Sequence, residues 1–178
     1  MHSRLRRVLV VSGLTLIPLS DSLLAQSDGK PLTGRAMGMS MDRFTSGGSG
    51  LIAISYRYSS LQPGKIGPEL GVSAFPQTLA AGMLFIAPDL GASYNLTVPG
   101  GSVLVKAGGS ALAALGVHGA WFVPGVHLGG TLLLQTGDFS GVRLDLIRHH
   151  YWANGGEIVP VWSIGLGFAI LPHRQSAY

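Results

Sequence analysis

The sequence contains no cysteine. That absence excludes disulfides, a lipoprotein anchor thiol, a thiolate nucleophile and any cysteine metal site. Charge is scarce as well: 12 basic and 8 acidic residues stand among 178, whereas a soluble domain carries roughly a quarter charged. A soluble fold so poor in charge would show large apolar patches to water. Long apolar runs are missing too. Beyond residue 25 no continuous apolar stretch reaches the roughly 18 residues that mark a membrane helix. For such a chain the other structure that satisfies its own backbone in lipid is a closed β-barrel.

The first residues stand apart. Arg4, Arg6 and Arg7 precede an apolar run over 8–19, and Ala25 precedes Gln26. This is the layout of a secretory signal peptide, and its apolar run is shorter than the roughly 20 residues of a spanning helix. Removing 1–25 leaves 178 − 25 = 153 residues, one domain over 26–178. The basic residues fall to 12 − 3 = 9 and the acidic ones, with Asp21 gone, to 8 − 1 = 7. A net charge of about +2 with no basic patch speaks against nucleic acid as a partner.

Alternation is what the chain has in quantity. Over 161–170 the even positions are Trp162, Ile164, Leu166, Phe168 and Ile170, while 163–169 carry Ser, Gly or Ala at odd positions. Successive side chains of a strand point to opposite faces, so one face here is large and apolar and the other small. Similar segments fall at about 34–44, 50–60, 67–76, 81–97, 102–114, 123–136 and 139–151, separated by turn residues such as 46–50 and 99–101. Two details stay open. Pro88 implies a bulge or an exposed end, and 111–115 fits a short helical turn as well as a strand. Eight strands of roughly 9–11 residues suit a tilted membrane-spanning barrel, and an even count brings both termini to one side.

The face opposite the apolar one collects Asp42, Arg57, Glu69, Asp89, Lys106, His127, Arg143, Asp145 and His149. A lone charge on a lipid face costs roughly 2–4 kcal/mol at the midplane, so these are expected inside. An eight-stranded barrel is just wide enough for side chains to fill, so the expectation is a polar plug. The set Trp162, Ile164, Leu166, Phe168 and Ile170 is expected to face lipid. Tyr56, Tyr58, Tyr94, Trp121, Phe122, Phe139, Tyr151, Trp152 and Trp162 are candidates for an aromatic girdle at headgroup level.

These features together resemble small eight-stranded outer-membrane β-barrel proteins over about residues 34–170. The resemblance rests on the signal-peptide layout, the alternating segments, Gly-Val-Arg-Leu-Asp-Leu at 141–146 and the closing run 161–170. It implies location in the outer membrane, contact with outer-membrane lipid and handling by the barrel assembly machinery. Members usually end in an aromatic residue that completes the last strand. Here Tyr178 is terminal, but Pro172 separates it from the run, and Phe168 is the aromatic inside it.

The expectation is therefore an all-β, eight-stranded antiparallel up-and-down transmembrane barrel with a structural or small-solute role, no cofactor and no metal site. One alternative is a soluble or periplasmic lipid-binding barrel with its apolar face inward, which would turn the Ser, Gly and Ala set to water. Another is a lipid-modifying enzyme using His127 or His149. No G-x-S-x-G motif is present, and adjacent His149 and His150 fall on opposite strand faces. Gly47-Gly48-Ser49-Gly50 lacks the Gly-Lys-Ser/Thr of a phosphate loop. With both termini periplasmic the outward loops would be near 45–50, 77–81, 115–122 and 152–158, short for adhesion or large-ligand capture.

Overall fold

The computed structural model describes residues 32–116, 119–153 and 156–171. The signal peptide expected over 1–25, Pro172 and Tyr178 lie outside these residues. Eight strands follow one another: β1 Gly34–Ser46, β2 Ser49–Leu61, β3 Ile66–Phe75, β4 Met83–Val98, β5 Gly101–Gly116, β6 Gly119–Gln135, β7 Ser140–Trp152 and β8 Ile158–Ile170. Each pairs antiparallel with its neighbour in sequence, and β1 closes on β8. Closure leaves no unpaired sheet edge. No described helix is long and apolar enough to cross a membrane.

Short turns dictate this topology. Only Gly47 and Gly48 separate β1 from β2, and both have positive φ, 54° and 88°. That is the backbone of the tight hairpin turns whose twist matches paired strands, and glycine adopts it without a Cβ penalty. The β3–β4 connection holds a short 3-10 helix, Pro76–Ala81, where the alternation alone implies the end of one strand and a loop.

The structure settles the two open details and moves two strand starts. Residues 111–115 are strand within β5, paired with β6 from Ala111↔Pro124 to Leu115↔Ala120. Pro88 makes no bulge: β4 pairs Ile86 with Ala113 and Asp89 with Ser110, the same register on both sides. Proline lacks only its N–H, and the ladder omits the Ala87/Leu112 and Pro88/Ala111 pairs rather than shifting. β6 and β8 begin at Gly119 and Ile158, several residues before the apolar alternation starts.

The interior is layered. At the end where β1 starts, Leu32, Ala36, Leu61, Leu104, Leu133, Ala169 and Leu171 form one apolar cluster. At the other end Phe44, Ala53, Phe75 and Ala87 form a second, with Phe85, Leu112 and Val161 against it. Between them lies the polar layer.

Small residues on β8 let the wall approach its neighbours. A Cβ on Gly165 would fall onto the Asp42 carboxylate, and one on Gly167 would fall onto the Met39 carbonyl oxygen.

Candidate functional site

Strand parity carries the charged side chains to one place. Asp42 on β1, Arg57 on β2, Glu69 on β3, Asp89 on β4, Lys106 on β5, His127 on β6 and Arg143, Asp145 and His149 on β7 are all buried. The structure brings all nine into the middle layer.

Two clusters result. In the first, Arg57 donates from Nη1 to Asp89 Oδ2 at 2.9 Å and from Nη2 to Asp42 Oδ2 at 3.2 Å. Asp42 also accepts from Ser40 Oγ at 2.6 Å and Ser55 Oγ at 2.8 Å. In the second, Lys106 Nζ bridges Glu69 and Asp145. Arg143 donates from Nε to Asp145 Oδ2 at 2.7 Å and from Nη2 to Asp145 Oδ1 at 3.0 Å. Thr131 donates to the same carboxylate. Arg143 and Asp145 can pair because residues two apart on a strand share a face.

Such a network costs much to desolvate and costs more to break. Removing one partner from a buried ion pair destabilises by roughly 3–5 kcal/mol, because it strands the other charge. Here four carboxylates face three cations, so the network carries one excess negative formal charge. The two histidines stand beside that excess. His127 Nδ1 lies 3.8 Å and His149 Nδ1 3.7 Å from Asp89 Oδ1, and none of these three buried atoms has a hydrogen-bond partner among the described residues.

Ser163 on β8 was not among the residues that charge and alternation pick out, because a serine between small neighbours carries no signal of its own. It completes a chain of side chains with nucleophile, base and acid character. Its Oγ is 3.3 Å from His149 Nε2. The 3.7 Å from His149 to Asp89 is longer than the hydrogen bond that orients the base in a serine hydrolase. The His149 ring is also stacked on Phe44 at 5.5 Å and on Tyr151 at 5.7 Å, and Ser163 is fully buried. Among the described residues no group of His, Asp or Glu side chains is placed to hold a metal ion.

The outer wall has the opposite chemistry. Trp162, Ile164, Leu166, Phe168 and Ile170 are all exposed, Leu166 by 60%. Met37, Met39, Met41, Leu144 and Leu146 continue the same surface across the β1–β8 and β7–β8 seams. Of the aromatic residues expected near the rims, Tyr56, Tyr94, Trp121, Phe122, Phe139, Trp152 and Trp162 are exposed, and Tyr58 is half-buried. Tyr151 departs from that expectation. It shares parity with Arg143, Asp145 and His149, so it is buried inside, stacked on His149. One outward cation, Arg148, lies over the Trp162 ring at 5.3 Å.

Sequence patterning also missed the large apolar side chains inside. Phe44, Phe75, Leu104, Leu133 and Ile147 are buried. The signal was parity: each stands two residues from a buried polar neighbour on its own strand, as Phe44 does from Asp42 and Leu104 from Lys106.

No protein-family model matches this chain, and no curated protein matches it by sequence. Solved structures do. Neisserial surface protein A superposes over 78% of this chain and 96% of its own, with TM-score 0.52 and 10% identity. Ail, the attachment invasion locus protein of Yersinia pestis, covers 78% of this chain and all of its own at TM-score 0.46 and 11% identity. A major outer membrane protein of Thermus thermophilus covers 76% and 98% at TM-score 0.46 and 13% identity. By fold, the chain is a small eight-stranded β-barrel like that of Neisserial surface protein A.

Proposed function

We propose that this chain is an integral outer-membrane barrel whose lumen is plugged by its charge network and that serves a structural or small-solute role. One observation carries the reading: the barrel is inside-out, with paired charges buried and large apolar side chains exposed around it. Water penalises such an outer surface, whereas lipid accepts it and penalises charge instead. Outer-membrane lipid is then the partner of Trp162, Ile164, Leu166, Phe168 and Ile170. The likeness to outer-membrane barrels extends the same reading to the assembly machinery that inserts them.

The plug reading rests on layering. Leu61, Leu104 and Leu133 fill one end of the bore, and the network of Arg57, Lys106, Arg143 and their carboxylates fills the middle. A soluble barrel holding lipid in its bore would need the reverse arrangement. The proposal assigns no catalysis to His127 or His149.

Membrane integration is tested by extraction and by gel migration of heated and unheated samples. Release only by detergent, with a heat-dependent mobility shift, is expected; solubility in detergent-free buffer would overturn the reading. The plug is tested separately in planar bilayers. No steady conductance is expected, and an ohmic channel from the purified barrel would refute it.

A further inference from the structure

Above the charge network the bore changes character. Phe44, Phe75, Phe85, Leu112, Tyr151 and Val161 wall a chamber of about 350 Å3 that opens beside the β1–β2 turn, with Ser49 at its rim. No charged side chain lines it. Phe44 and Phe75 meet edge to face, with centroids 4.9 Å apart at 69°. Below them the His149 ring stacks on both Phe44 and Tyr151, so aromatic rings separate the chamber from the charges.

We propose that this chamber binds one small, uncharged aromatic molecule. Its volume falls near the lower end of the range for small-molecule sites, which runs from about 300 to 1,000 Å3. That admits one compact ligand and excludes a long acyl chain. The lining selects against charge, because an ion entering it would lose water and find no counter-ion. The ring edges and faces of Phe44, Phe75 and Phe85 suit a further ring, since aromatic groups prefer edge-to-face and offset contacts. Ser49 at the rim leaves room for one polar substituent facing out. The proposal rests on the barrel interior and not on membrane location, so it can fail while the membrane reading stands.

The test uses the full barrel in detergent micelles with labelled Leu and Val methyl groups, titrated with indole. Saturable shifts are expected at the Leu112 and Val161 methyls. The outer-wall Leu166 methyls should move without saturation, reporting partition of indole into the micelle. Val161→Phe fills the chamber and should weaken the saturable binding at least tenfold, with the heat-dependent gel shift kept. If that variant does not form a barrel, Leu112→Phe is read in the same way. Indole-3-acetate, the charged relative, should bind at least tenfold more weakly than indole. Shifts confined to Leu166, unchanged binding in the filled variant that folds, or equal binding of the charged relative would each overturn the proposal.

Discussion

Arg143 and Leu144 are neighbours in the chain and live in opposite surroundings. Arg143 is buried against Asp145, while Leu144 stands on the outer wall beside Leu166. The same contrast runs along β7, with Asp145, Ile147 and His149 inside and Leu146 and Arg148 outside. It teaches that the two faces obey different rules. Inside, composition is free but pairing is obligatory: charges, rings and leucines all occur, each charge with a partner. Outside, pairing is rare and composition is restricted to apolar side chains, with cations confined to a few positions such as Arg148.

The largest break of that contrast is expected from Asp145→Ala. It removes the acceptor shared by Lys106, Thr131 and Arg143, and stability should fall by about 3–5 kcal/mol. Urea unfolding of the micelle-bound barrel, followed by tryptophan fluorescence, reads this directly; a loss below about 1 kcal/mol would mean the network is solvated. Next comes Leu166→Arg, which places an unpaired charge halfway along the outer wall. On the membrane reading it should cost about 2–4 kcal/mol in lipid vesicles. An unchanged stability there would show that the outer wall does not sit in hydrocarbon. The smallest effect belongs to Arg148→Ala, which removes only the stacking over Trp162. A loss of about 0.5–1 kcal/mol is expected, checked by the same unfolding curve.

Much of this was legible in the chain because a strand has a period of two. Alternation located all eight strands and put Asp42, Arg57 and Lys106 on one face from the residue order alone. Strand ends were less legible. The extra residues Gly119 and Ile158 of β6 and β8 lie beyond the apolar alternation, where pairing rather than patterning decides the boundary. Pro88 does interrupt the β4–β5 ladder, but the register is the same on both sides, so the interruption is a gap and not a bulge. The site was legible as a set of residues but not as a set of pairs. That Arg57 would bond Asp89, 32 residues away, depends on cross-strand register and tilt, which alternation does not encode. The aromatic chamber was hidden for another reason. Phe44 and Phe75 look like ordinary strand residues until parity is followed to the end of each strand.

The β1–β8 seam has a kinetic consequence. Seven of the eight pairings join strands adjacent in sequence and close over short connections, so each is a local event. The eighth brings Thr45 to Trp162 across 117 residues. The entropy of loop closure grows with length, and contacts distant in sequence form slowly. On that argument this seam is expected to close last, and small residues line it. With Gly165 and Gly167 facing Asp42 and Ser40, the last strand can settle into register without displacing a side chain on its own inner face. The small residues of β8 thus leave room at the seam for the Asp42 carboxylate and the β1 backbone, as glycines such as Gly91 and Gly108 do at the β4–β5 seam.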